Sequence, residues 1–380
     1  MMKEYLDYNA TTPVSAETAE VIKQYLIDDY GNAGSRTHES GSKAKAAILD
    51  SRKVIASYLD AEYSEIIFTS GATESNNIAL FGLLDYAQQN NKSHIISTSI
   101  EHKAILDPLN EIESRGFEIT LIDPDENGKI NPDDVLQAIK DETFLISCMH
   151  ANNETGVINP ITEIAEQVKN KNEAIFFHSD CSQTFGKTSL DLTSDSIDMI
   201  SFSAHKFYGP KGIGGLLARK KDGKSMPLKP LMFGGGQEKG LRPGTHPVHL
   251  IAGMNHALNS CIQQKDKWEE RCSEIKQIAL DAFKDLDVKV YGGTDKNVLP
   301  NTLSISFSDL DAEALIVHIR DIAEISTGSA CTSESYTPSH VLMAMGLSED
   351  EATQVVRLSW GPASNEGVFN NIARLIKEII

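Results

Sequence analysis

Short apolar runs alternate with segments of helical spacing through the first half of the chain. Strand-length apolar runs begin near Ile66, His94, Phe117, Phe144 and Ala174. Segments of helical spacing begin at or after Thr73, His102, Pro132 and Ile161. Strands and helices that alternate in this way favour a mostly parallel sheet wrapped by helices. The sequence therefore predicts an α/β fold with its ligand site at the carboxyl ends of the strands.

The pattern changes after about Met254. One long polar helix is predicted through about Lys284. Beyond it the spacing predicts a turn at Gly292-Gly293, a strand Thr302 to Phe307, a helix Ala312 to Arg320 and a strand Val355 to Trp360. This mixture indicates a smaller α+β domain. Two glycine-rich pieces, Gly212 to Gly215 and Gly234 to Gly236, match neither a P-loop nor a dinucleotide fingerprint.

The charge balance is strongly acidic. The 380 residues include 35 basic and 54 acidic side chains, which gives a net charge of −19. Such a surface argues against direct contact with nucleic acid or with an anionic membrane. No apolar stretch precedes Tyr5, and the longest apolar runs are of strand length. We therefore expect a soluble cytoplasmic protein without a signal peptide or a transmembrane helix.

The five cysteines show no paired spacing. An odd count of this kind disfavours a disulfide framework and indicates a reducing compartment. Four of them fall on predicted strands or in the long helix: Cys148, Cys181, Cys261 and Cys272. Cys331 differs because its surroundings, Ser326 to Ser335, are small and polar. An accessible thiol in such a segment can act as a nucleophile.

A lysine follows the apolar run Met199 to Phe202. The local sequence, Ser201-Phe-Ser-Ala-His-Lys206, places a hydroxyl and an imidazole just before the amine. A buried lysine loses its charge readily, and its neutral amine can condense with an aldehyde such as pyridoxal phosphate. Ser203 and His205 can hold the phosphate of such a cofactor. Taken alone, the string is more typical of an ordinary loop.

A glycine turn between a predicted strand and a predicted helix supports the cofactor hypothesis. The segment Phe68 to Asn77 contains this turn at Gly71. The N-terminus of a helix offers free backbone N–H groups and a partial positive charge, so Ala72 and Thr73 can cradle a phosphate. A capped helix start without a ligand is the alternative.

Two further strand ends carry side chains suited to a pyridine ring. Asp180 follows the run Ala174 to Phe177, where a carboxylate can pair with the ring nitrogen and keep the ring an electron sink. Gln183 can hydrogen-bond the phenolic oxygen. His102 ends another strand and can stack on the ring and move protons, although a structural histidine is the alternative. Asn152 to Gly156 predicts a turn, and contacts the cofactor only by association.

Motifs along nearly the whole chain give a family resemblance. They are Tyr5 to Pro13, Gly31 to Ala33, Thr69 to Asn77, Glu101 to Lys103, Asn152 to Gly156, the Lys206 segment with Tyr208 to Gly212, and Ser326 to Ser333. Together they resemble the cysteine desulfurases, which are pyridoxal-phosphate enzymes of fold type I in the class V aminotransferase group. The resemblance implies a large cofactor-binding domain over residues 14–254. It also implies a small domain, residues 1–13 and 255–380, that carries the catalytic cysteine.

The resemblance implies a role for each matching position. Lys206 would hold the cofactor covalently, His102 would stack on the ring as an acid–base group, and Asp180 would pair with the pyridinium. Gln183 and Asn153 would contact the ring-oxygen side. The phosphate would be surrounded by Ala72, Thr73, Ser203 and His205, joined by Thr245 from the neighbouring subunit of a dimer. No metal is expected.

L-Cysteine is the implied substrate. Arg357 matches the family arginine that clamps the substrate carboxylate, where a bidentate guanidinium fits the geometry. A salt-bridged strand arginine is the alternative, and Asn32 is a further candidate for the same pocket. The Cys331 thiolate would take the substrate's sulfur, which leaves L-alanine and a persulfide to be passed to an acceptor protein.

Departures from the iron–sulfur type of the family bear on where the sulfur goes. Leu241 to Thr245 contains a proline where a small residue is usual, and the stretch after Arg357 lacks the family's usual basic and aromatic residues. With Gly31 to His38, Met232 to Gln237 and Thr337 to Val341, these features resemble desulfurases of DNA phosphorothioation systems. Delivery to iron–sulfur cluster scaffolds or to tRNA thiolation enzymes is the alternative.

Other functions on the same scaffold are a transaminase, a selenocysteine lyase or a non-catalytic sulfur relay. The presence of Cys331 argues against a transaminase. The presence of Lys206, Asp180 and His102 together argues against a protein without catalytic activity.

Overall fold

The computed structural model describes residues 3–188, 192–307, 310–327 and 338–379. The strands are β1 (Glu4–Tyr5), β2 (Ile66–Thr69), β3 (His94–Thr98), β4 (Glu118–Ile122), β5 (Thr143–Ser147), β6 (Phe176–Asp180), β7 (Met199–Ser203), β8 (Gly214–Ala218), β9 (Val288–Tyr291), β10 (Thr302–Phe307), β11 (Ala323–Glu324) and β12 (Val355–Ser359). The helices are α1 (Ala16–Ile27), α2 (Glu39–Tyr58), α3 (Ala72–Phe81), α4 (Leu84–Gln89), α5 (Lys103–Ser114), α6 (Pro132–Gln137), α7 (Ile161–Lys171), α8 (Val248–Phe283), α9 (Ala312–Ile319), α10 (His340–Ala344), α11 (Glu349–Ala352) and α12 (Gly367–Lys377). Short 3₁₀ turns occur at Tyr63–Glu65, Ala204–Lys206 and Gln237–Gly240.

The main sheet has the order β2-β8-β7-β6-β5-β3-β4 and comprises seven strands of the described chain. Neighbours from β7 to β4 are parallel, and β8 is antiparallel to both β2 and β7. The inner parallel strands are buried along their whole length. This burial is typical of a parallel sheet covered by helices on both faces. The predicted α/β fold with a mostly parallel sheet is confirmed.

The antiparallel strand β8 was not predicted, because its glycines interrupt the apolar pattern. These glycines allow close packing. A Cβ atom on Gly214 would lie 2.4 Å from the carbonyl oxygen of Phe202 and 2.7 Å from the Cα atom of Gly71. A Cβ atom on Gly215 would lie 2.4 Å from the Phe202 ring. The glycine-rich piece therefore brings β8 against β7 and against the turn that precedes α3.

A second core lies on the antiparallel sheet β12-β10-β9. It contains the large buried side chains of Phe283, Phe307, Trp360 and Phe369, and it includes Leu6 from the N-terminal segment. The strand β1 pairs in parallel with β11 beside this core. The N-terminal segment therefore folds with the C-terminal part of the chain.

The long helix α8 contacts elements of both cores. It packs against α1 and α2 on one side and against α12 on the other. The helix begins at Val248, six residues before the pattern change at Met254, and runs without interruption to Phe283. Its 36 residues span about 54 Å. The boundary at residue 254 stays a prediction. Among the described residues, no helix combines the length and the apolar character needed to cross a membrane.

Candidate active site

A cavity of about 560 Å³ opens at the carboxyl ends of β2, β3, β5, β6 and β7. Ten of the predicted site residues line it: Ala72, Thr73, His102, Asn153, Asp180, Gln183, Ser203, His205, Lys206 and Arg357. These residues come from separate strand ends and from β12 of the second sheet. The location at the strand ends agrees with the position expected for an open α/β sheet.

Three predicted site residues lie elsewhere. Asn32 and Thr245 line a separate cavity, which lies between the α2 region and the segment that precedes α8. The predicted nucleophile Cys331 lies outside the described residues. The roles of all three remain predictions.

Lys206 ends the 3₁₀ turn that follows β7 and is partly buried. Its Nζ atom donates to the backbone carbonyls of Asn9 and Ala10, the latter at 3.0 Å. The Asn9 carbonyl also accepts a hydrogen bond from Nε2 of Gln183 at 2.9 Å. The N-terminal segment therefore supplies acceptors that direct the lysine toward the cavity.

Asp180 is the buried carboxylate of the site, with 6% of its surface exposed. Its Oδ2 atom accepts from Nδ2 of Asn76 at 2.8 Å. Its Oδ1 atom accepts from the backbone and the hydroxyl of Ser182, at 2.9 and 2.6 Å. These donors fix the carboxylate and stabilise its charge. His178 lies in the middle of β6. Burial lowers its pKa to about 4, so this imidazole is neutral at pH 7.

His102 caps the N-terminus of α5. Its Nδ1 atom accepts the backbone N–H of Ala104 at 3.0 Å, so the proton of the neutral ring resides on Nε2. Burial lowers the pKa of His102, although the nearby Asp180 carboxylate opposes this shift. The neighbouring Glu101 is fully buried, and burial raises its pKa to about 8. At pH 7 a neutral imidazole therefore faces the cavity.

One end of the cavity is built to receive an anion. No side chain of the described residues caps the N-terminus of α3, so the first backbone N–H groups point into the cavity. The preceding residue, Gly71, has φ 155° and ψ −179°, a conformation that is essentially restricted to glycine. Ser203 and His205 line the same region. Burial and the nearby Lys206 charge lower the pKa of His205 to about 4, so it contributes a neutral hydrogen-bonding group.

Arg357 lies on the opposite wall and is 4% exposed. Its Nη2 atom pairs with the Asp7 carboxylate, and its Nη1 atom donates to the Asn153 carbonyl at 2.9 Å. Its Nε atom is buried without a hydrogen-bond partner among the described residues. This donor is available to a group bound in the cavity. The guanidinium is both a salt-bridged strand arginine and a candidate for a carboxylate group.

The two flanks of the segment that contains Cys331 both lie beside this site. Ser326 exchanges backbone hydrogen bonds with Arg357, at 3.2 and 2.6 Å. On the other flank, the Ser339 hydroxyl donates to Glu154. His340 hydrogen-bonds through Nε2 to the Glu101 carbonyl at 2.9 Å, next to His102.

Sequence reasoning missed several residues that organise the site. Asn9 donates through Nδ2 to the Asn153 carbonyl and to the hydroxyl of Thr302, at 3.1 and 2.9 Å. Asn76 supports Asp180, and Lys187 donates to Oε1 of Gln183 at 3.0 Å. Asn9 and Asn76 could have been found from the sequence, because both fall inside motifs that carry the family resemblance.

The chain is similar to known proteins along nearly its whole length. The aminotransferase class-V family model matches residues 4–368. The cysteine desulfurase IscS of Vibrio cholerae is 40% identical over 376 residues, which are 98% of this chain and 91% of that protein. The chain belongs to the cysteine desulfurases of the class-V aminotransferase family.

Two solved structures resemble the desulfurase closely. DndA from Streptomyces lividans has a TM-score of 0.82 and 42% identity, and the match covers 94% of this chain and 98% of that one. SspA in complex with cysteine has a TM-score of 0.82 and 39% identity, with 95% and 99% of the two chains covered. The fold type I architecture expected from the motifs is therefore confirmed.

Pyridoxal phosphate is the cofactor of the desulfurase, and the cavity fits this group. The α3 N-terminus with Ser203 and His205 suits the phosphate. The Asp180 carboxylate suits the pyridine nitrogen. The buried Oδ1 atom of Asn76 has no hydrogen-bond partner among the described residues and lies beside that carboxylate. The cavity therefore offers hydrogen-bonding groups for the phosphate and a carboxylate for the pyridine nitrogen.

Proposed function

We propose that the desulfurase releases L-alanine from L-cysteine and stores the sulfur as a persulfide on Cys331. The supporting observation is the convergence of Lys206, Asp180, His102 and Arg357 on one cavity, with both flanks of the Cys331 segment anchored beside it. A transaminase has no use for a thiol at this position.

The chain's own residues bind and orient the reactants. Arg357 holds the substrate carboxylate through the guanidinium hydrogen that lacks a protein partner. Lys206 would hold the cofactor through its aldehyde, and its Nζ atom would take the proton from the substrate Cα. Bound pyridoxal phosphate supplies an electron sink for the charge that develops at this carbon. His102 would stack on the ring and exchange protons through Nε2.

The sulfur transfer step conserves atoms and electrons. The Cys331 thiolate attacks the sulfur of the substrate, so that an S–S bond forms as the Cβ–S bond breaks. The electron pair from the broken bond remains on the substrate and takes up a proton. The products are L-alanine and the Cys331 persulfide. A thiol of an acceptor protein then takes the outer sulfur of the persulfide and releases the Cys331 thiolate.

Two variants separate cofactor binding from sulfur acceptance. Lys206→Ala should lose the borohydride-sensitive visible absorbance of the bound cofactor and lose desulfuration. Cys331→Ser should keep that absorbance and respond spectrally to L-cysteine, yet release almost no alanine or sulfide. Wild-type turnover by Cys331→Ser would refute its role as sulfur acceptor.

We propose DNA phosphorothioation as the destination of the sulfur. DndA and IscS are about equally similar to this chain, at 42% and 40% identity, so overall identity does not separate the two pathways. The motifs around Pro243, Phe233 and Ser359 favour phosphorothioation. The 40% identity to IscS favours a general sulfur donor for iron–sulfur clusters as the second candidate.

Deletion of the gene distinguishes the two destinations. DNA phosphorothioates should disappear, while iron–sulfur enzymes should stay active. Radiolabelled sulfur from L-cysteine should pass from Cys331 to a co-purifying protein. The reverse phenotype would establish the general donor and leave the desulfurase activity unaffected.

We also infer that two copies of the chain associate. Thr245 and Asn32 line a cavity separate from that of Lys206, so we expect Thr245 to reach the cofactor phosphate, and Asn32 the substrate pocket, of a neighbouring subunit. Large apolar side chains close to them in sequence are exposed, with Tyr30 at 76% and Phe233 at 89%. These two side chains are therefore candidates for the contact between the subunits.

A further inference from the structure

Lys187 lies behind the active site and has no role in the chemistry described so far. It lies at the end of the turns that follow β6, is partly buried, and does not line the cavity. Its Nζ atom donates to Oε1 of Gln183 at 3.0 Å. Burial, together with the nearby Lys206 charge, lowers the pKa of Lys187 to about 7. A buried amine needs hydrogen-bond acceptors, and the Gln183 amide supplies one.

The contact with Lys187 determines the orientation of the Gln183 amide. An amide presents an acceptor on one side and two donors on the other, and the Lys187 amine, charged or neutral, donates to the acceptor side at 3.0 Å. Oε1 must therefore face Lys187, and Nε2 must face the cavity. The hydrogen bond from Nε2 to the Asn9 carbonyl, at 2.9 Å, agrees with this orientation.

The amide keeps one donor for a ligand. Of the two Nε2 hydrogens of Gln183, one is given to the Asn9 carbonyl. Gln183 lines the cavity, so the second hydrogen is available to a group bound there. Lys206 donates to the same Asn9 carbonyl. Lys187, Gln183 and Lys206 are therefore joined in one hydrogen-bonded series through Asn9.

We propose that Lys187 is a positioning residue that locks the Gln183 amide with its NH₂ group toward the ring oxygen of bound pyridoxal phosphate. The inference rests on the proposed assignment of Gln183 to that oxygen. A fixed donor favours the deprotonated oxygen, which absorbs in the visible region. Without Lys187 the Oε1 atom loses its donor, and the hydrogen bond from Nε2 to the Asn9 carbonyl alone holds the amide, so the NH₂ group is less firmly fixed toward the ring oxygen.

The test compares Lys187→Met with Lys187→Arg and with a matched control. Lys276 is a buried lysine of α8 that donates to the Leu299 carbonyl, away from the cavity, so Lys276→Met controls for loss of a buried amine. The readouts are the absorbance spectrum of the bound cofactor and the dissociation constant for pyridoxal phosphate added to apoenzyme.

Lys187→Met should bind the cofactor about tenfold more weakly, as expected for one lost hydrogen bond to a charged group. Its absorbance should move from the visible band toward the near ultraviolet. Lys187→Arg should restore both properties, and Lys276→Met should change neither. A wild-type spectrum and affinity in Lys187→Met would overturn the proposal, as would equal losses in Lys187→Met and Lys276→Met.

A second variant covers the case in which Lys187→Met does not fold. Gln183→Glu keeps an acceptor for Lys187 but has no donor for the ring oxygen, so it should show the same spectral shift. An unchanged spectrum in Gln183→Glu would exclude the proposed contact. Wild-type protein that binds no pyridoxal phosphate would instead refute the proposed function itself, so the two failures are distinguishable.

Discussion

The Arg357 guanidinium divides its donors between the protein and the cavity. Its two terminal nitrogens are held by Asp7 and by the Asn153 carbonyl, and the buried Nε atom has no partner among the described residues. The protein contacts fix the plane of the group, which leaves an oriented donor for a carboxylate. A lysine cannot reproduce this arrangement, because its donors radiate from one nitrogen.

Arg357→Lys should therefore raise the KM for L-cysteine by about tenfold or more. Steady-state kinetics checks this, with cysteamine, which lacks the carboxylate, as a comparison substrate whose kinetics should change little. Arg219 is a buried arginine that donates to the carbonyls of Leu59 and Ile197, far from the site, and Arg219→Lys is the control. Equal KM changes in the two variants would contradict substrate binding by Arg357.

The sequence predicted residues of the cavity that follow strands, because a strand end has a known place in an α/β fold. Lys206, Asp180 and His102 are of this kind. The sequence did not predict the hydrogen-bond partners that orient the side chains of the site. Asn76 is 104 positions from Asp180, and Asn9 is 174 positions from Gln183. Contacts over such separations depend on the tertiary arrangement, which local spacing does not encode.

At the scale of the elements, apolar runs located the inner parallel strands well, because those strands are buried on both faces. The apolar pattern did not predict β8, because this strand packs closely through glycines, which have no side chains. It also placed the start of α8 too late. The first turns of that helix are largely apolar and buried, so the change to polar residues comes after its beginning.

The turn Gln237–Gly240 holds a buried carboxylate that joins three elements. The side chain of Glu238 is 1% exposed and accepts hydrogen bonds from Arg52 of α2, from His246, and from the backbone N–H of Phe68 in β2. Burial alone would raise the pKa of Glu238. The hydrogen bonds from His246 and Arg52 outweigh that effect and lower the pKa to about 2.

Glu238→Gln should lower the free energy of unfolding by about 3 kcal/mol near pH 7, because it leaves a partly buried Arg52 cation without its partner. The folded-state pKa lies below the usual value of 4.5, so the carboxylate stabilises the fold above that value. This contribution is lost as the pH falls from about 4.5 toward about 2. Urea unfolding at a series of pH values measures the difference. A gap between the two proteins that did not narrow in acid would contradict the assignment.

The proposed cofactor-binding residues line two separate cavities of the chain. The main cavity holds the lysine, and the separate cavity holds Thr245. Because we propose that Thr245 acts across a dimer, a defect at Lys206 in one chain and a defect at Thr245 in the other fall in the same site and leave the second site intact. The acidic charge of −19 favours sulfur delivery through a protein over direct delivery to DNA.

Mixed dimers test this arrangement. Lys206→Ala and Thr245→Glu should each be inactive alone, the second because a carboxylate repels the cofactor phosphate. After the two proteins are unfolded together and refolded, activity should return, since one site of each mixed dimer is intact. Sedimentation should show a dimer throughout. A mixture without activity, or a monomeric wild type, would exclude a shared site.

The pairing of the N-terminal segment has a consequence for biosynthesis. Glu4 pairs with Ala323, and Asn9 bonds to Ser359, which lies 350 positions downstream. During translation the segment leaves the ribosome long before its partners exist, although every strand of the main sheet has been made by Ala218. Contacts between such distant residues form slowly. Nascent chains that stop before β12 should therefore be colourless even when the main sheet is complete, and capture of the cofactor marks the end of synthesis.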